Sequence, residues 1–338
     1  MKFKKLTAVI AVITVAALLA AGCGSKEEKA GDKPGKTIIA TQDLLSTSVI
    51  AKGQDYFQET MGEGAEIKRF GAGRDINNAL MSGSAEFGML GVCPTAVGLT
   101  TGAEYKVIWT ECLIRGTEGL AVRKGSGINR VKDLKGKKVG VTVASSGHYG
   151  LLCALEDAGM TAKDIELVDL DPDAINSAWA RGDIDAAYTW NPTLINLKNQ
   201  DGTVLLTGAD LAKKGHPTMN FHVVRTEFAE KNPKVVKAYC AALAKGAELY
   251  DKDKKQAYDI VSKYLEMTPE QAKEQMTDEY VKLEDQMELL DKGTAAETIY
   301  NVAKFLEKED QIQDGKDLQF FKDAIDTSYV KALLEESK

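Results

Sequence analysis

The stretch INSAWARGDIDAA, residues 175–187, has an earlier counterpart in the same chain, INNALMSGSAEFG, residues 76–88. Ile, Asn, Ala and a turn Gly recur in step, and an acid follows each Gly three places on, Glu86 in one copy and Asp185 in the other. Each copy then runs a short apolar stretch into a Pro-Thr step, as GMLGVCPTAVGL (88–99) and AYTWNPTLINL (187–197). Helix end, Gly turn, strand and Pro at a helix start, given twice in that order, is harder to reach by chance than scattered identities. A solenoid needs at least three short units. One pair predicts two related lobes.

The rest of the first two thirds fits that reading. Strand-like runs (KTIIAT, AEIKRFG, EFGML, YKVIWTECL, GLAVRK, KKVGVTV, IELVDL, DAAYTW, TVLLTG and NFHVVR) alternate with amphipathic stretches such as SVIAKGQDYFQETMG and HYGLLCALEDAGM. That alternation predicts an α/β fold with parallel-rich sheets flanked by helices. From Glu227 on the pattern becomes helix after helix, and Thr268-Pro269-Glu270-Gln271 reads as a capped helix start. This tail is expected to be a helical layer without chemistry. The Gly- and Lys-rich segment 125–138 is expected to cross between the lobes, and the region around HPTMNFHVVR to return. Two crossings would make a hinge. The expected division is a signal segment 1–22, a tether 23–36, one lobe from 37–125 plus 218–338, and a second from 126–217.

The 338 residues carry 44% apolar content and a formal charge of −7, with both signs interspersed. The length allows two domains. Nothing in the charge suggests a nucleic-acid partner. At the N-terminus, Lys2, Lys4 and Lys5 precede an uncharged run from Leu6 to Ala21, and LAAGC ends on Cys23. The run is short of the roughly twenty residues that span a bilayer, so an export signal is favoured over a transmembrane anchor. Cys93, Cys112, Cys153 and Cys240 show no short-range pairing and read as free buried thiols.

Several motifs are absent or out of context. AGDKPGKT (30–37) fits a loose phosphate-loop pattern but runs into a strand instead of a helix. No metal spacing or nucleophile motif is present, so no catalytic residue, cofactor or metal is expected. Polar loops at strand ends remain. In VTVASSGHYGLLCAL, Ser145, Ser146 and Gly147 precede a helix opening at His148 and Tyr149; in LGVCPTAV, Gly91, Val92 and Cys93 precede Pro94. Helix starts expose amides to an anion. Ser146 alone could equally be a helix cap. Two such starts facing one cleft would converge on a single small ligand, where open α/β sheets place their sites. Tyr188 and Trp190, beside Asn191, offer an aromatic wall, with Trp190 as plain core the alternative; Trp109 and Trp179 read as core.

LAAGC is similar to the lipobox of bacterial lipoproteins, which implies cleavage before Cys23 and a lipid on it, holding the protein on the outer face of the membrane. SSGHYGLLCAL, INSAWARGDIDAAYTW and HPTMNFHVVRTEFAEKNPKVVKAY resemble the substrate-binding proteins of ABC importers for taurine, alkanesulfonates and nitrate, the taurine-binding members most closely. The resemblance implies a two-lobed periplasmic-binding-protein fold of type II and delivery of ligand to a permease driven by a cytoplasmic ATPase. By position it places Gln42, the loop Gly91 to Cys93 and the loop Ser145 to His148 at the sulfonate end, and Glu118 where an acid can meet an amine. The relatives show Ser-Ser for Val92-Cys93, Asp for Asn220 and Trp for His222, so these positions also belong to the pocket, and Asn220 cannot supply a second negative charge.

The expectation is therefore a monomeric, lipid-anchored binding protein for taurine or a similar sulfonate-like anion. The alternatives are nitrate, bicarbonate or a thiamine pyrimidine precursor as ligand, a pyrimidine-synthase-like enzyme, and a sensory ectodomain.

Overall fold

The computed structural model describes residues 36–337 apart from Asp43 and Asp314. The signal segment, Cys23 and the tether through Gly35 lie outside the described residues.

The chain order of strands is β1 (Thr37–Thr41), β2 (Ala65–Arg69), β3 (Phe87–Gly91), β4 (Tyr105–Leu113), β5 (Glu118–Arg123), β6 (Lys138–Val141), β7 (Glu166–Asp169), β8 (Ala186–Trp190), β9 (Gly202–Thr207), β10 (Met219–Arg225) and β11 (Glu279–Tyr280). All the expected strands are present, and β11 is an addition. They form two sheets, ordered β11-β4-β10-β3-β1-β2 and β7-β6-β8-β5-β9. Within each, neighbours run parallel on one side, β2-β1-β3 and β7-β6-β8, and antiparallel beyond it. The reversed strands are β10 and β5, which enter their sheets from the other half of the molecule, and the short edge strand β11.

The repeat has a structural meaning. β3 and β8 occupy equivalent central places, and the acid that precedes each does the same work. Glu86 Oε2 accepts from the backbone N–H of Ile38 in β1 at 2.7 Å, and Asp185 Oδ2 accepts from that of Lys138 in β6 at 2.9 Å. Each carboxylate thus ties the start of the central strand, β3 or β8, to its parallel neighbour, β1 or β6. Central β3 is buried throughout, as a strand covered on both faces must be, whereas β2 carries its charges at the edge.

The crossing from the first sheet to the second falls at residues 114–117, earlier than the expected 125–138. Because β5 pairs with β8 and β9, the Gly- and Lys-rich segment is a connection within the second half. Its composition marks a surface loop and carries no information on sheet membership. The return passes through residues 214–218, and the two crossings lie side by side: Ile114 N–H donates to Thr218 O at 2.9 Å.

The C-terminal helices cover the first sheet, with Pro233–Lys252 against Thr47–Gly53 and Tyr56–Met61, and Thr294–Lys308 against Val92–Thr100. The Thr268–Gln271 capping box is present. Trp109 and Trp179 are core, and Cys93, Cys112, Cys153 and Cys240 are buried free thiols. Among the described residues no helix is long and apolar enough to cross a membrane.

Candidate functional site

A cavity lies between the two sheets, at the ends of the parallel strands β1, β3 and β8 and beside the first crossing. Eight of the expected residues line it: Gln42, Gly91 and Asn220 from the first half, Glu118 from β5, and Ser145, Ser146, Trp190 and Asn191 from the second. Strand ends of an open α/β sheet are where helix starts and side chains converge.

Two helices begin here, Val92–Thr100 with Gly91 as its N-cap and Ser146–Asp157 with Ser145 as its N-cap. They touch, since a methyl group on Gly91 would overlap Ser146 Oγ. The two serines divide the labour. Ser145 Oγ donates to Thr142 O at 2.6 Å and accepts from His148 N–H at 3.1 Å, so it is the cap. Ser146 Oγ is buried and has no partner. The turn before them is strained: Ala144 sits at φ 61, the left-handed region, which costs a non-glycine residue about 1 kcal/mol or more. Helix-start amides and a free hydroxyl together form a corner whose chemistry suits an anion.

The same cavity holds two buried acids, Glu118 and Asp278. Glu118 is 3% exposed and its Oε2 has no partner. Burial, and secondarily the neighbouring Asp278, push its carboxyl up to about 8. It is therefore mostly protonated at neutral pH. Trp190 stands in register with Glu118 on the adjacent strand and is partly exposed. Asn191 is fixed by its own N–H to Thr117 O at 2.8 Å and by its Nδ2 to Gln275 O at 3.3 Å.

Asp278 is the residue that sequence reasoning missed. It comes from the C-terminal segment, held by the backbone N–H of Arg115 at 2.7 Å, that of Thr117 at 3.3 Å, and the Thr117 hydroxyl. Burial raises its carboxyl, against the pull of those donors. The tail therefore does carry a residue of the cavity wall, and a second carboxyl, where position 220 has an Asn, comes from another element. No spacing signal in TDEY marks it, because its neighbours in the cavity are distant in sequence.

Other expected residues stand elsewhere. The side chains of Val92 and Cys93 are fully buried in the core, so this loop offers only its backbone. Tyr188 is fully buried under the helix that follows Ser145, its hydroxyl so close to Gly150 that no side chain fits there, and Gly147 packs on its ring. Tyr188 and Trp190, two residues apart, share a face of β8, but only Trp190, at the strand end, lines the cavity. His148 lines a separate surface depression with Lys163 and Lys308, and burial lowers its pKa. His222 borders a second, smaller cavity and is 2% exposed. Its Nδ1 lies 2.7 Å from Tyr239 OH and its Nε2 2.9 Å from Glu111 Oε2. Glu111 Oε1 in turn accepts from Thr47 N–H at 2.6 Å and Thr47 Oγ1 at 2.7 Å. Burial alone would raise the Glu111 carboxyl, but His222 and Thr47 together hold it below its ordinary value. This is a structural network behind the pocket.

Two α/β halves, joined by a pair of adjacent crossings and enclosing a polar cavity between them, have the architecture of the periplasmic binding proteins. The chain belongs to the NMT1/THI5-like family, whose model matches residues 46–257. It is 35% identical over 212 residues to the taurine-binding periplasmic protein of Escherichia coli (strain K12), a match spanning 63% of this chain and 65% of that one. It is 29% identical, over 98% of this chain and 97% of the other, to a Bacillus subtilis (strain 168) protein provisionally named as aliphatic sulfonates-binding. The crystal structure of the periplasmic aliphatic sulphonate binding protein of Escherichia coli superposes with a TM-score of 0.66 at 23% identity, over 85% of this chain and 96% of that one.

Proposed function

We propose that the protein captures a small organic sulfonate, taurine or another alkanesulfonate, in the cavity between its sheets and delivers it to an ABC permease driven by a cytoplasmic ATPase. The observation that carries this reading is the contact of two helix starts at Gly91 and Ser146, with the Ser146 hydroxyl buried and unpartnered. A sulfonate presents acceptor oxygens and one negative charge to those amides and that hydroxyl. Each helix end contributes about 0.3 to 2 kcal/mol to such an anion. Trp190 packs against the short alkyl body, and Glu118 meets any amine. Gln42, Asn191 and Asn220 complete the polar wall. Binding requires no covalent step. The names of the two relatives support the ligand class.

In this account the halves rotate about the paired crossings to admit and release ligand. Arg74, which reaches across to Asp171 at 2.6 Å and Asp169 at 3.3 Å, holds one rim of the closed form. Lipid on Cys23 keeps a monomer on the outer face of the membrane, with residues 24–36 as a flexible tether. Micromolar affinity, about −8 kcal/mol, suits capture followed by release.

The test is calorimetric titration against taurine, longer alkanesulfonates, nitrate, bicarbonate and thiamine pyrimidine precursors. A sulfonate should bind, and Trp190→Ala should weaken it at least about tenfold, or ~1.4 kcal/mol. Binding confined to another member of the panel would replace the ligand and leave the transport role. Turnover of a bound compound would replace both with an enzyme.

A further inference from the structure

Glu118 and Asp278 line one cavity from different elements, β5 and the C-terminal segment. They differ in how they are held. Asp278 accepts from two backbone N–H groups and the Thr117 hydroxyl, donors that favour its charged form. Glu118, 3% exposed, has an oxygen with no partner at all. Two buried carboxyls in one small space cannot both stay ionised at low cost, so the less well supported one keeps a proton. A buried oxygen without a partner is itself a cost that a ligand donor would remove.

The groups around the pair supply no compensating positive charge. On the side of Glu118 stand the Cys93 thiol and the Tyr188 phenol, and on that of Asp278 the Cys112 thiol and the phenols of Tyr250 and Tyr280. Burial pushes all five up, which keeps them neutral at neutral pH. The guanidinium of Arg115, whose own backbone N–H holds Asp278, is directed to Glu279 at 2.9 Å. Across the cavity, the unpartnered Ser146 hydroxyl marks where an anionic group would sit.

We propose that Glu118, in one cavity with the better-supported Asp278, keeps a proton while no ligand is bound and loses it to solvent when an ammonium group enters, so that capturing a zwitterionic sulfonate releases a proton. The proposal rests on the sulfonate reading above and adds to it a charge selector, with Asp278 as the specificity-determining residue. The balance is simple. One carboxylic acid and one carboxylate bind R-NH3+, giving two carboxylates, the bound ammonium ion and one free proton. With the Glu118 carboxyl at about 8, the affinity for an ammonium ligand should rise by close to tenfold per pH unit below that value and flatten above it. A sulfonate with a hydroxyl in place of the amine has no ion to exchange for the proton, and its affinity should not follow pH.

The experiment titrates the purified protein at pH 7 with taurine and with isethionate, its hydroxyl analogue, in buffers of different ionisation enthalpy, which counts protons directly. Taurine should release close to one proton and isethionate none. Glu118→Gln should abolish the release. Asp278→Asn should cost taurine at least tenfold in affinity while leaving isethionate nearly unchanged. Taurine binding without proton release overturns the proposal, as does an Asp278→Asn variant that loses both ligands equally. If no sulfonate binds in any buffer, the ligand reading fails first and this proposal with it. The wild-type comparison of the two ligands does not depend on either variant folding.

Discussion

Glu111 and Glu118 are the same residue type, both buried and both near the first crossing, and their surroundings drive them in opposite directions. Glu111 has His222 and Thr47 as partners and is held down; Glu118 has an unpartnered oxygen and an acid nearby and is pushed up. The signs follow. A depressed carboxyl contributes stability above its unfolded value that is lost as pH falls through the folded one, so the Glu111 contribution disappears only in acid. Glu111→Gln should cost about 1 to 3 kcal/mol, because it disturbs the buried hydrogen bonds that Glu111 makes with His222 and Thr47, and urea unfolding at neutral pH would measure this. A raised carboxyl does the reverse. Between about pH 4.5 and about 8 the folded state holds a proton that the unfolded state has lost, so Glu118 makes the empty protein less stable as pH rises. Glu118→Gln should remove that slope, as thermal unfolding across this range would show. None of this is legible in the sequence: resemblance alone places Glu118, nothing marks Glu111, and the family pattern points His222 at the pocket. A side chain's partners come from other strands, and spacing along one strand does not reveal them.

At the scale of elements the sequence was a better guide. Period-two alternation and Gly turns located the strands β1 to β10, and Thr268-Pro269 located a helix start, because these signals are local. The crossing at 114–117 was not legible, since four residues between two apolar strands look like any turn, and neither was two-residue β11, which exists only because β4 offers an edge. The pair of helix starts was legible as a pair; the split between Ser145 and Ser146 was not. That split gives a prediction. Ser145→Ala should lose about 1 kcal/mol of stability with the cap. Ser146→Ala should leave stability unchanged or slightly raised, because its hydroxyl has no partner to lose, and should weaken sulfonate binding at least tenfold. Thermal unfolding and calorimetry on the two variants separate structure from recognition. The repeated acids give a second. Glu86→Gln and Asp185→Asn each replace a charged acceptor of a strand amide, and each should cost about 1 to 2 kcal/mol, alike in size because their places in the two sheets are equivalent.

At the scale of the whole molecule, one half repeats the other and the site belongs to neither. The first half supplies Gly91 and Asn220, the second Ser146 and Trp190, and the C-terminal segment returns to add Asp278. Ion pairs outside the cavity also span the halves, Arg74 with Asp169 and Asp171, and Lys198 with Glu274. Exposed pairs contribute little to stability. They can still bias an open-closed equilibrium, so Arg74→Ala should weaken ligand binding by about two- to fivefold through faster release, with the unfolding midpoint nearly unchanged; stopped-flow dissociation and thermal unfolding would read the two effects. The central claim is that an anionic sulfur group sits where two helix starts meet. The most direct measurement is a crystal structure of the protein grown with taurine, the ligand sulfur located by its anomalous signal. The account predicts the sulfonate within hydrogen-bond distance of Ser146 Oγ, and the ammonium group between Glu118 and Asp278. A sulfonate found instead beside His222 in the second cavity, or an ammonium group turned toward Ser146, would contradict it.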